Sequence, residues 1–284
     1  MNKNIVNFIG CDSEYDQADI VLFGAPFDGT TSFRPGTRFA PTAIRSESIG
    51  IETYSPYSDS DLTEKKVFDS GDLVFPFGNP QAVIDLIEKR AAAIVADNKI
   101  PFMIGGEHLV TFGAVKAVAK KYPDLNIIHL DAHTDLRDEF FGEKLSHANV
   151  IRRAWEIVGD GKIFQFGIRS GEKAEFEFAK KHNFIQKFNL NGFSEIVEKL
   201  KGKPVYFTLD LDVLDPSIFC GTGTPEAGGV TFNQLLDAVL LLNKLNIVGC
   251  DVNELSPHYD HSGTSTAVAC KIIREILLQI RRKK

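Results

Sequence analysis

Six residues of the types that bind hard metal ions stand in three short segments: His108 alone, Asp131 with His133 and Asp135, and Asp210 with Asp212. Each segment closes an apolar run: GGEH at 105–108, DAHTD at 131–135, and LDLDVLDP at 209–216. Residues two apart on a strand share a face, so Asp131 pairs with His133, and Asp210 with Asp212, each pair aimed into one pocket. Asp135 falls just past a strand end, where the chain can curl back. Four carboxylates gathered in a partly buried pocket raise one another's pKa, and each would be costly to bury alone. Divalent cations remove that cost. The Asp/His mixture suits Mn²⁺ better than thiolate-seeking metals, and the surplus of carboxylates over the needs of one ion points to two ions that share ligands. Such a pair acidifies water enough to give hydroxide near neutral pH, which is hydrolase chemistry. An isolated Asp or His more often caps a turn or packs, and His129, His182 and His258 are read that way.

The elements that must position these residues are legible as apolar runs of strand length at 20–25, 66–69, 100–104, 126–130, 162–167, 184–188, 205–211 and 247–252. Several are almost continuously apolar, as in strands covered on both faces. Helical patterns alternate with them at 81–97, 109–121, 148–158, 173–182, 194–200, 232–245 and 265–281. The alternation predicts a parallel sheet in one α/β domain over 1–284. Ligands bind beyond the carboxyl ends of the strands in such sheets. Five runs end in polar residues, those leading to Asp28, His108, Asp131, Asp210 and Glu254, and they converge on one edge. Residues 26–41, rich in Gly, Pro and Thr, read as a long functional loop.

Composition narrows the function classes. The net charge is -6 and no basic stripe is present, so nucleic-acid binding is not expected; the basic end at 281–284 reads as a solvated terminus. The four cysteines form no CxxC pair, which fits a reducing compartment. No apolar run reaches the ~18 residues of a membrane span. A cytoplasmic protein without membrane partners is expected.

Together, GGEH, DAHTD and FTLDLDVLDP (207–216) resemble the three signatures of the ureohydrolase family, which includes arginases and agmatinases, and the resemblance runs from Gly24 to beyond Gly263. It implies a three-layer α/β/α sandwich with a mainly parallel eight-stranded sheet. It also implies two Mn²⁺ per chain, with His108 and Asp135 completing one site, His133 and Asp212 the other, and Asp131 and Asp210 bridging. It gives His147 the proton shuttle, Glu254 the guanidinium anchor, and Asp135 the orientation of the attacking hydroxide. The loops at 24–36, 138–147 and 221–226 are most similar to those of agmatinases, which adds Asp28 and Glu139 to the substrate-binding set. Ala148 and the 256–263 stretch depart from the family pattern near the substrate tail. The resemblance implies hydrolysis of a small guanidino compound, agmatine to putrescine and urea, by a homo-oligomer, trimer or hexamer. Rival readings are a guanidinobutyrase-like enzyme or other guanidino-acid amidinohydrolase, a formimidoylglutamase, an arginase, or a non-catalytic metal-binding scaffold.

Overall fold

Ile20 and Leu22 are buried on one side of their strand, Val21 and Phe23 on the other. That two-sided burial recurs along the central strands, and it explains why they read as continuous apolar runs. A computed structural model describes residues 6–281; residues 1–5 and the basic residues 282–284 lie outside it. Its strands are β1 (Ile20–Ala25), β2 (Tyr54–Ser55), β3 (Ser60–Asp61), β4 (Val67–Asp72), β5 (Ile100–Gly105), β6 (Asn126–Leu130), β7 (Ile163–Ile168), β8 (Phe184–Lys187), β9 (Pro204–Asp210) and β10 (Asn246–Asn253). Its helices are α1 (Ala40–Glu47), α2 (Pro80–Ala96), α3 (Val110–Lys121), α4 (Val150–Val158), α5 (Lys173–His182), α6 (Phe193–Lys199), α7 (Phe232–Leu240) and α8 (Thr264–Gln279).

Eight strands form one parallel sheet in the order β4-β1-β5-β10-β9-β6-β7-β8, and β2 and β3 make a separate short hairpin. One face of the sheet packs Leu22, Phe102, Phe207 and Val252 against Ile44 of α1, Val197 of α6, Val239 of α7 and Ile273 of α8. The other packs Val21, Met103, Ile127 and Tyr206 against Ile87 of α2, Val115 of α3, Ile151 of α4 and Ala179 of α5. The fold is the three-layer α/β/α sandwich expected. No helix among the described residues is long and apolar enough to cross a membrane.

All eight strand runs are found, with ends shifted by at most a few residues. Helix α1 is an addition. It starts at the tail of the segment read as loop, and no side-chain cap marks its start. Tertiary ion pairing fixes it instead: the buried Arg45 guanidinium reaches both carboxylate oxygens of Asp69, at 2.8 and 3.0 Å, and Asp72 beyond it. Local pattern carries no trace of such long-range partners.

Candidate metal centre and substrate cavity

β5, β10, β9 and β6 are neighbours in the sheet, so their carboxyl ends bring His108, Glu254, Asp210 and Asp131 to one place. The glycines of GGEH make the crossing possible. A Cβ on Gly106 would stand 2.0 Å from the carbonyl oxygen of Phe27, and one on Gly105 would stand 1.9 Å from Asn253 Oδ1. The loop after β1 can therefore lie directly on the end of β5.

The two spaced pairs do share a pocket, for a different reason than strand alternation. β6 ends at Leu130 and β9 at Asp210, so His133 and Asp212 are past the pleat. Instead Asp131 Oδ1 accepts the His133 amide at 2.5 Å, and Asp210 Oδ1 accepts the Asp212 amide at 2.8 Å. Two Asx turns fold each second residue back beside the first. Asp135 curls back in the left-handed conformation, φ 53°, and Glu254 does the same at φ 68°. A side chain held in that region costs of order 1–2 kcal/mol, and here both strained residues face the same cavity.

The ligand-type atoms form two groups joined by Asp131, one of His108, His129, Asp131 and Asp135 and the other of Asp131, His133 and Asp212; Asp210 falls in neither and stands beside the first through His108. His108 Nδ1 lies 3.1 Å from Asp131 Oδ2, 3.2 Å from Asp135 Oδ2 and 3.3 Å from Asp210 Oδ2. His133 Nδ1 lies 3.0 Å from Asp212 Oδ2 and 3.5 Å from Asp131 Oδ1. Hydrogen bonding decides what those nitrogens offer. The Thr208 hydroxyl donates to Asp251 Oδ1 at 2.6 Å, so its oxygen accepts the His108 Nε2 proton at 2.8 Å. Although burial opposes it, the carboxylates of Asp131, Asp135 and Asp210 around Nδ1 hold the His108 imidazole well above its usual range, and a divalent cation among them would take the place of the Nδ1 proton. Burial, reinforced by Asp212 and Asp131, pushes the Asp210 carboxyl well above the usual range. Burial and the Asp131 charge push Asp135 up to about 6. The donor set fits a pair of divalent ions.

His129, read from sequence as a satisfied core residue, belongs to this network. Its Nε2 lies 2.7 Å from Asp131 Oδ2. Gln165 Nε2 donates to the Thr134 carbonyl at 2.8 Å and to His129 Nδ1 at 3.1 Å. The ring therefore carries its proton on Nε2 and donates to Asp131: it orients a ligand and is not one itself. The signal was present, since His129 and Asp131 have the same two-residue spacing as the recognised pairs. Glu107, beside His108, was also missed. Buried and pushed up to about 7 by that burial, its carboxylate accepts from the Thr30 amide at 2.8 Å, the Thr30 hydroxyl at 2.5 Å and the Thr31 hydroxyl at 3.2 Å. Thr30 Oγ1 in turn accepts the His147 amide at 3.1 Å.

A cavity of about 320 Å³ opens over the cluster, with His108, His133, Asp135 and Asp210 in its floor and Ser32, His147, Thr224 and Glu254 in its walls. Arg137, Phe140, Glu172 and Glu175 also line it. Glu254 Oε1 accepts the His108 amide at 2.7 Å. His147 Nε2 lies 3.3 Å from Ser32 Oγ, and burial lowers its imidazole to about 4, so the ring is neutral near pH 7.

Two expected substrate residues are placed otherwise. Asp28 is buried, and its carboxylate is occupied by the Arg38 side chain and by the amides of Gly36 at 2.8 Å and Arg38 at 3.3 Å. It shapes the loop and does not line the cavity. Glu139 is exposed. The tight turn in which Phe140 and Glu143 exchange backbone hydrogen bonds turns Phe140 inward, edge-on to His147, and leaves Glu139 outside.

Comparison with known proteins agrees with this geometry. The chain matches the Arginase family over residues 18–279. An agmatinase of Bacillus subtilis (strain 168) is 50% identical over 275 residues, which cover 95% of each chain. A crystal structure from Clostridium difficile superposes with a TM-score of 0.92 at 52% identity, covering 94% of this chain and 98% of that one. The agmatine ureohydrolase of Thermoplasma volcanium follows at 0.89 and 34%, covering 98% and 95%. With sequence and fold matched over nearly the whole length, the chain belongs to the arginase family.

Proposed function

We propose that this chain hydrolyses the guanidinium group of agmatine, giving putrescine and urea, with two Mn²⁺ held by His108, Asp131, His133, Asp135, Asp210 and Asp212. The carrying observation is the cluster of His108 Nδ1 with the carboxylates of Asp131, Asp135 and Asp210 beneath a cavity walled by Glu254. The bound ions would supply water made acidic near neutrality. Glu254 offers two in-plane acceptors to the guanidinium fork. Asp135 accepts a hydrogen bond from the attacking oxygen and orients it. As the water oxygen bonds to the guanidinium carbon and the C–N bond to the tail breaks, neutral His147 takes up the proton that the water gives up and passes it to the departing amine, and Ser32 steadies its Nε2 edge.

Charge at the rim supports a cationic tail. Four aspartates balance two divalent ions, and Glu254, Glu172 and Glu175 then face Arg137 alone. Arg137 is already 3.1 Å from Glu172 and 3.6 Å from Glu175. The other arginines near enough to suit an acidic tail are engaged elsewhere: Arg34 stacks on Tyr259 and Arg152 on Phe178, and neither lines the cavity. The agmatinases at 46 to 50% identity point the same way. We place the enzyme in the cytoplasm as a homo-oligomer, trimer or hexamer, acting in polyamine biosynthesis.

Urea release by the Mn²⁺-loaded protein, measured across agmatine, arginine and 4-guanidinobutyrate, tests the reading. Agmatine is expected to have the highest kcat/KM, and a preference for either of the others overturns the assignment. His147→Asn is expected to slow turnover by ~10²-fold or more, the scale of a lost general acid or base, with both ions retained. A rate equal to wild type would remove His147 from proton transfer.

A further inference from the structure

Arg169, just after β7, donates only to main-chain carbonyls. Its Nη2 reaches Asp212 O at 2.7 Å, Glu226 O at 2.8 Å and Leu214 O at 3.4 Å. Nη1 reaches Val213 O and Gly167 O, both at 3.2 Å, and Nε reaches Glu226 O at 3.2 Å. Its own amide donates to Ala132 O at 2.7 Å. One residue thereby holds the carbonyls of the Leu211–Val213 turn that carries Asp212, and the main chain between Asp131 and His133.

The physical logic is that of a cation at a helix end. Three successive carbonyls, of residues 212, 213 and 214, converge where the turn stops, and a guanidinium completes them electrostatically. Its planar fork of five donors suits several fixed acceptors at once, which a lysine ammonium cannot match. The side chain hydrogen-bonds carbonyls of residues 167, 212, 213, 214 and 226, none of them part of His108, Asp135 or Asp210. The structure assigns the Arg169 side chain as the positioning group for the ion site of His133 and Asp212, acting through the turn that presents Asp212, while the residue's own amide holds the main chain before His133 and the His108 site is left to its own supports. This rests on the two-ion reading of the cluster and is independent of which guanidino compound is cleaved.

The test is equilibrium binding of Mn²⁺ to metal-stripped wild type, Arg169→Ala and Arg169→Lys, with stoichiometry by elemental analysis and a thermal melt of each metal-free protein. Wild type is expected to bind two ions. Arg169→Ala should bind one of the two ions, here called the second whatever its rank in wild type, ~10- to 100-fold more weakly, the scale seen when a ligand loses its support, and the other, the first, as wild type does. Arg169→Lys should fall between them, and excess Mn²⁺ should restore kcat in both variants. A role confined to stability would lower the melting temperature and leave the second dissociation constant unmoved, which would overturn the proposal. So would equal weakening of both ions, or wild type binding only one. If Arg169→Ala fails to fold, the second-ion affinity of Arg169→Lys decides: unchanged binding overturns the assignment. Two ions bound without hydrolysis of any guanidino compound would sink the proposed function and leave this inference standing.

Discussion

Asp131→Ala is expected to leave fewer than two divalent ions per chain and to lower kcat/KM by well over the ~10- to 100-fold typical of residues that merely support a ligand. Both carboxylate oxygens are committed. Oδ2 stands in the His108 group and receives His129, and Oδ1 faces His133 and receives its amide. Removing the side chain deletes the atom set common to the two groups and opens the turn that carries His133. The fold around it should survive, because the flanking Leu130 and Ala132 are buried apolar residues untouched by the change. Elemental analysis of the purified variant beside its urea-release rate checks the result. A variant that keeps two ions per chain would show that Asp131 does not bridge.

Glu254→Gln separates binding of the substrate from binding of metal. The amide keeps an oxygen for the His108 backbone N–H and keeps the volume, so both ions and the melting temperature should be preserved. What disappears is a buried negative charge facing the cavity. Loss of one partner of a buried charged pair costs about 2–5 kcal/mol, so kcat/KM for agmatine should fall by roughly 10²-fold or more. Near-normal turnover with two ions bound would place the guanidinium anchor elsewhere in the cavity.

How far the sequence carries can be argued from particular residues. The sheet was legible because its central strands are buried on both faces, and such strands are mostly apolar. The cluster was legible because ligand-type residues closed those strands at short spacing. The spacing argument reached the right partners through the wrong geometry: Asp131 with His133, and Asp210 with Asp212, are joined by turns closed on their own carboxylates, which a period of two mimics. His129 was passed over because a buried histidine has an ordinary explanation; only Gln165, 36 residues further along, fixes its proton and turns it toward Asp131. Asp28 and Glu139 were placed by likeness of loops, and loops are where a single distant partner, such as Arg38 for Asp28, redirects a side chain. Helix α1 depends on Arg45 finding Asp69 and Asp72, a fact that no local window contains.

The strand order has a consequence for how the chain comes to be made. Remove β10 and the sheet falls into two halves, β4-β1-β5 and β9-β6-β7-β8. His108 comes from the first half, and Asp131, His133, Asp210 and Asp212 come from the second or from the loops that follow its strands. During synthesis on the ribosome these halves have no shared edge until residues 246–253 emerge and are inserted between β5 and β9. A nascent chain therefore lacks the strand that joins the two halves of the cluster until residues 246–253 have been made. Until then it carries two open apolar strand edges, the surfaces that chaperones shield and that aggregates recruit.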